Sequence, residues 1–230
     1  MDTSKARSAI LQRIRGAQQR EALEKSTEIA QAQAYLAQPQ IGPLPSLGGI
    51  DLLDTAQLAE YFCQQAEKMS DSVARVASLD DVPCEVARYL QEHALPNELH
   101  VWPQWSDLPW PSTQLLIHLA PASVLDRMQQ AVGLTGAFCG IAETGSLLLL
   151  SSASTPISTA MLPETHIAIL RRSRIVAYME QALALVQTEQ GVLPRTTTFI
   201  SGPSRTGDIE QTIVLGAHGP YRVHVILVLD

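Results

Sequence analysis

From Val132 onward the chain alternates short apolar runs with tight polar turns. The runs occupy residues 135–141, 146–150 (SLLLL), 165–170, 197–201, 211–215 and 223–229. Each has strand length, and those reading LLLL and VILVL carry no polar alternation, which predicts strands covered on both faces. Between the third and fourth runs, residues 173–187 predict a helix with Ser173 as its cap. Further upstream, Asp54 and Gln57 stand three apart ahead of an apolar-periodic segment, the pattern of a capping box opening a helix that runs to about Met69. Residues 72–77 read as a short strand. Residues 80–92 read as a helix with Pro83 in its first turn. Residues 100–102 and 115–119 read as strands around a Trp- and Pro-rich loop. Strands with intervening helices predict an α/β fold, a layered sheet flanked by helices.

The first forty residues differ. Residues 4–37 are dominated by good helix formers and predict one long helix. Its apolar stripe, Ile10, Leu11 and Ile14, thins to Ile29, Tyr35 and Leu36. Such a helix buries little alone, so it either docks on another subunit or stands free. Residues 38–49 (QPQIGPLPSLGG) read as a linker. The expected division is a helical extension over 1–40 and an α/β domain over 41–230. No internal repeat is visible.

Composition narrows the function classes. Apolar residues make up 46% and charged residues 17% of the chain, a core-forming balance rather than a disordered one. No apolar run approaches the ~20 residues of a bilayer span. Lys5, Arg7, Arg13, Arg15 and Arg20 interrupt the start, so no secretory signal is read and a cytoplasmic location is expected. The net charge of −7 is uneven: residues 1–40 balance to +2, residues 41–130 to −8. An acidic middle argues against nucleic-acid binding, which needs a basic face. Cys63, Cys84 and Cys139 form neither a disulfide framework nor a CxxC pattern. Each reads as a buried small hydrophobe, and the chain offers no set of close thiolates for an iron–sulfur cluster.

Three polar corners hold the chemistry. Glu143-Thr144-Gly145 lies between two predicted strands, where a carboxylate beside glycines faces a pocket or merely caps backbone N–H groups. Glu164 and His166 stand two apart, on one face of an extended segment. They suit acid–base work or a structural pair, and a metal site would need a further ligand. Residues 201–208 (SGPSRTGD) are the best ligand candidate. Ser201, Ser204 and exposed N–H groups suit an anion, and Arg205 suits a bidentate carboxylate or phosphate, with Asp208 either orienting Arg205 or pairing with it in a capped turn. The segment is neither a Walker loop nor a dinucleotide fingerprint. Arg171, Arg172 and Arg174 read as solvated surface or as a contact for an acidic partner or a substrate carboxylate. Trp102, Trp105 and Trp110 read as loop packing or a partner patch.

The segments GIAETGSLLLLS (140–151), MLPETHIAIL (161–170) and SGPSRTGDIEQTIVLGAHGP (201–220) together resemble the lactate-utilization protein C family, the LUD domain. The resemblance covers about 132–230, and more weakly ARSAILQRIR (6–15). It implies the fold group of ribose-5-phosphate isomerase, glucosamine-phosphate deaminase and CoA-transferase proteins. It also implies a part in bacterial oxidation of L-lactate to pyruvate, with iron–sulfur clusters in partner subunits and no cofactor in this chain. On that reading Arg205 holds a small carboxylate, Glu143 and His166 manage protons as the catalytic residues, and Thr144, Gly145, Glu164, Ser201, Ser204 and Asp208 complete the ligand site, without a metal. The tripeptide Glu143-Thr144-Gly145 is also similar to the Glu-x-Gly turn bearing the nucleophile of class I CoA-transferases. The alternative is therefore an independent CoA-transferase-like or sugar-phosphate-isomerase-like enzyme using Glu143. A pure scaffold docking through its first helix is a third class.

Overall fold

The structure, a computed structural model, describes residues 4–17, 25–37, 49–110, 113–119, 131–209, 212–216 and 218–229. The chain divides into two compact units, Met1–Leu47 and Gly48–Asp230. The first holds α1 (Ser4–Ala17) and α2 (Lys25–Ala37). Both lie within the helix expected over 4–37, and residues 18–24 between them lie outside the described residues. Every residue of α1 is exposed, as the thin stripe predicts.

The second unit is built on a six-stranded sheet with all described pairings parallel. Its strands are β1 (Ser72–Val76), β2 (Glu98–Val101), β3 (Leu116–His118), β4 (Val132–Gly136), β7 (Thr165–Arg171) and β12 (Arg222–Val228), in the order β1-β12-β7-β4-β2-β3. A second sheet joins β5 (Cys139–Ile141), β6 (Ser146–Leu150), β8 (Ile175–Val176) and β9 (Thr197–Ile200) in the order β8-β5-β6-β9. A separate ribbon pairs β10 (Arg205–Ile209) with β11 (Thr212–Leu215).

Burial explains the unalternating runs. Strand β4 is buried throughout, and β7 and β12 are buried in all but one residue. Ile167, Ile169 and Ile226 pack on one face with Val82, Val86 and Leu90 of α4 (Val82–Glu92). Ala168, Leu170, Val223 and Val225 pack on the other with Phe62, Cys63 and Ala66 of α3 (Thr55–Lys68) and with Leu147 and Leu149 of the second sheet. The outer face of that sheet meets Ala182 and Val186 of α6 (Met179–Gln190). The expected capping box is present: Gln57 N–H donates to Asp54 Oδ1 at 2.8 Å, and Asp54 N–H donates to Gln57 Oε1 at 3.1 Å. On the α4 face, His224 is buried with Nδ1 at 2.8 Å from Ser72 Oγ and its ring stacked on Tyr89 at 4.0 Å.

Several expectations need correction. Residues 135–141 are not one strand, because the chain leaves the first sheet after Gly136 and enters the second at Cys139. Residues 173–187 are not one helix capped by Ser173. A 3-10 turn (Arg172–Arg174) and β8 come first, and α6 begins at Met179, where Gln181 Oε1 accepts from Ala177 N–H (2.8 Å) and Tyr178 N–H (3.2 Å). The ligand turn expected over 201–208 runs into a strand, β10 (Arg205–Ile209), that pairs with β11. Cys84 is exposed, whereas Cys63 and Cys139 are buried.

Candidate functional site

Five of the sequence-derived site residues gather around the C-terminal end of α3. Glu143, Thr144 and Gly145 form the turn between β5 and β6. Gly145 has φ +66° and lies so close to α3 that a Cβ there would sit 2.2 Å from Ala66 N. Gly202 repeats the device with φ +86° and a Cβ position 2.4 Å from Met69 O. Glycine at both positions lets three backbone segments touch. Thr144 Oγ1 lies 2.7 Å from Ser146 Oγ, which bonds in turn to Ser201 Oγ. Arg205 donates to Met69 O at 3.1 Å and to Ser70 Oγ. Its guanidinium is thus engaged with the end of α3. Ser204 is close by through its backbone, its N–H donating to Pro220 O at 2.9 Å. The Asp208 side chain lies outside the described residues.

The sequence reasoning missed Asp71, which belongs to this corner. It is 5% exposed, and neither carboxylate oxygen has a hydrogen-bond partner. Burial pushes its carboxyl up to about 7, against the opposing pull of Arg205. The only signal in the sequence is its place between a helix end and an apolar strand, where a side chain two residues before Val73 faces the core.

Glu164 and His166 bond to different strands of the main sheet. Glu164 accepts from Arg222 at 2.9 Å in a half-buried ion pair. His166 is fully buried in β7, with Nε2 at 2.7 Å from Thr135 Oγ1 and Nδ1 without a partner. Burial lowers its pKa to about 3, so the ring is neutral at ordinary pH. The expected Glu164–His166 couple sharing one face does not form, because each residue bonds to a different neighbouring strand. Among the described residues, no group of three or more His, Cys, Asp or Glu side chains is placed to hold a metal.

A cavity of about 490 Å³ lies elsewhere. It opens at the carboxyl ends of β4 and β7, marked by Gly136 and Arg171, where open α/β sheets bind their ligands. Trp102, Trp105 and Phe138 form an aromatic wall, with Arg171 and Arg174 as cations beside it. Arg174 is held in place by Glu189 at 2.6 Å, by Phe138 O at 2.9 Å, and by stacking 4.6 Å over the Phe138 ring. None of the residues expected to form the ligand site lines this cavity. Its lining includes Trp102 and Trp105, read from sequence as loop packing or a partner patch, and Arg171 and Arg174, read as solvated surface or as a contact for an acidic partner or a substrate carboxylate.

Comparison with known proteins fits this architecture. The LUD domain family model matches residues 125–228. A Deinococcus radiodurans DUF162 family protein of known crystal structure superposes with a TM-score of 0.58 at 24% identity, covering 76% of this chain and 99% of that one, a likeness of fold. Lactate utilization protein C of Geobacillus sp. (strain WCH70) is 38% identical over 129 residues, 53% of this chain and 54% of the relative. The chain thus spans about half the length of that relative. Lactate utilization protein C of Halalkalibacterium halodurans is 30% identical over 189 residues, and here the match takes in 76% of this chain and 80% of the relative. A likeness of that extent, together with the matching domain and fold, places the chain in the lactate utilization protein C family of LUD-domain proteins.

Proposed function

We propose that this chain is a component of a bacterial lactate-utilization system, acting beside iron–sulfur partner subunits in the oxidation of lactate to pyruvate. We further propose that it holds an anionic ligand in the cavity at the carboxyl ends of β4 and β7. The names of its relatives support a part in lactate utilization. The second rests on the arrangement of Arg171 and Arg174 at the mouth of an aromatic-walled cavity. A guanidinium beside apolar walls binds an anion more strongly than one in open water, because the local dielectric is lower. Oxidation of lactate releases two electrons and two protons from the carbinol. In this proposal the partners carry the electrons, since this chain has only three widely spaced cysteines. Thr144, Ser201 and Arg205 are then read as a brace between β6, the ribbon and α3, because each of these three side chains is hydrogen-bonded within the fold, unlike Asp71 beside them.

The test is lactate-dependent dye reduction by the partner subunits, with and without this chain. Omission is expected to lower the rate at least tenfold. Adding the Arg171→Ala chain is expected to restore only part of it, because a charged hydrogen bond is worth about 1.5–3 kcal/mol, roughly ten- to hundredfold. An unchanged rate on omission overturns the reading. The CoA-transferase alternative predicts instead an acyl adduct on Glu143 after incubation with an acyl-CoA, read by peptide mass spectrometry.

A further inference from the structure

Helix α3 presents an apolar, acid-edged groove to the outside. Leu53, Ala56, Glu60 and Tyr61 line it, and its volume is about 460 Å³. Leu52, one residue before Leu53, is 85% exposed. Residues 49–67 carry four acids, Asp51, Asp54, Glu60 and Glu67, and no Lys or Arg. Glu60 is paired with Arg75 at 2.7 Å, but both side chains are exposed, so the pair is weak and easily exchanged. The groove shares no lining residue with the cavity at the carboxyl ends of β4 and β7.

Helix α1 has the complementary character. It carries Lys5, Arg7, Arg13 and Arg15 and no acid, and none of its residues is buried. At 3.6 residues per turn, Ile10, Ile14 and Leu11 fill a stripe about 100° wide, with Arg7 inside it and Arg13 and Arg15 on its two borders. Such anchors, one helical turn apart, are what an apolar groove takes from a docked helix. A lipid surface is the other common partner of a basic amphipathic helix, but α1 has no aromatic side chain to seat at a membrane interface.

We propose that α1 of one copy lies in the α3 groove of a second copy. Ile10 and Ile14 meet the apolar lining, and the arginines meet Glu60, Asp51 and Asp54. A second copy is the occupant because helix and groove match each other in charge and in apolar surface, and each is bare. Two chains that exchange these helices about a two-fold axis fill both grooves at once and leave no open end for further growth.

Sedimentation of the full chain at tens of micromolar tests this. A dimer is expected, weakened several-fold as salt rises from about 0.05 to about 0.5 M, because exposed charges are screened. Two variants take the contact apart from its two sides. Ile10→Ser combined with Ile14→Ser removes the anchors of α1, and Ala56→Arg fills the groove with a like charge at an exposed position of α3. Each variant alone is expected to dimerise at least about tenfold more weakly. Mixed together they are expected to regain part of the pairing, because the intact α1 of the Ala56→Arg chain fits the intact groove of the other. A native monomer overturns the proposal, whether α1 stays bare, closes on the groove of its own chain or binds anionic vesicles. A dimer undiminished in either variant also overturns it, since the contact then lies elsewhere. So does a mixture that pairs no better than the variants do alone.

Discussion

Asp71→Asn is expected to stabilise the protein at pH 8 by about 3 kcal/mol and to change stability at pH 4 by less than about 1 kcal/mol. The native carboxyl holds its proton up to about 7, because burial disfavours its charged form. An unfolded aspartate releases it near 3.9. The folded chain therefore binds the proton over a window in which the unfolded chain does not. Stability is complete below that window and declines as pH rises through it. Three pKa units amount to about 4 kcal/mol, less what the substituted amide loses by lacking partners. His166 acts in the opposite sense. Its folded pKa is lowered to about 3, so the unfolded chain takes up the proton first and stability falls as pH drops below about 6.5. Burial also lowers His224, which adds to the slope from His166. Between pH 4 and 6.5 the aspartate and the histidines oppose each other. Urea denaturation across pH 4 to 8 should show a shallow dependence in the native chain. In Asp71→Asn it should show stability rising steeply with pH up to about 6.5. Parallel curves for the two proteins would mean that Asp71 is ionised or hydrated in the fold.

Gly145→Ala is expected to cost about 2–5 kcal/mol, a large share of the usual 5–15 kcal/mol of a folded protein. Two penalties combine. A left-handed backbone at φ +66° costs a residue with a Cβ about 1–2 kcal/mol. The new methyl would also sit 2.2 Å from Ala66 N and 2.5 Å from Gln65 C, both backbone of α3, and overpacking of this kind costs about 1–3 kcal/mol. Gly191 separates the two, since it has the same φ of +66° and nothing within 4 Å of its Cβ position. At ψ −39° Gly191 lies outside the left-handed helical region, so Gly191→Ala should carry a backbone cost alone, about 1–3 kcal/mol, with no clash added. Thermal melts of both variants check the difference, and equal losses would show that the turn does not press against α3. The result also bears on the Glu-x-Gly likeness, since this glycine is required by packing whether or not Glu143 attacks anything.

The layered fold was largely legible because its strongest signals are local. The unalternating SLLLL of β6 and the cap at Asp54 both appear where they were read. The division of residues 135–141 between two sheets was not legible, because the apolar pattern records burial and not which sheet does the burying. Arg205 was read as a clamp for an acid group or as a partner of Asp208, whereas its described partners, Ser70 and Met69, lie 135 and 136 residues away, beyond any spacing argument. Asp71 looks like any acid in a loop until its surroundings are known. The cavity joins Trp102 and Trp105 from one connection to Arg171 from another. Each was ambiguous alone, and only the parallel pairing of β4 with β7 makes them neighbours.

The position of β12 has a consequence for how the chain folds. It lies second in the main sheet, between β1 and β7, and its His224 meets Ser72 from 152 residues away. A growing chain on the ribosome can make α3, β1 and α4 early, yet β1 must wait about 150 residues of synthesis for its neighbour. Closing so long a loop is slow, and until it closes the unpaired backbone edge of β1 is open to other chains. Pairing of this strand is thus a late step in the folding of the sheet, and this protein is expected to depend on chaperones.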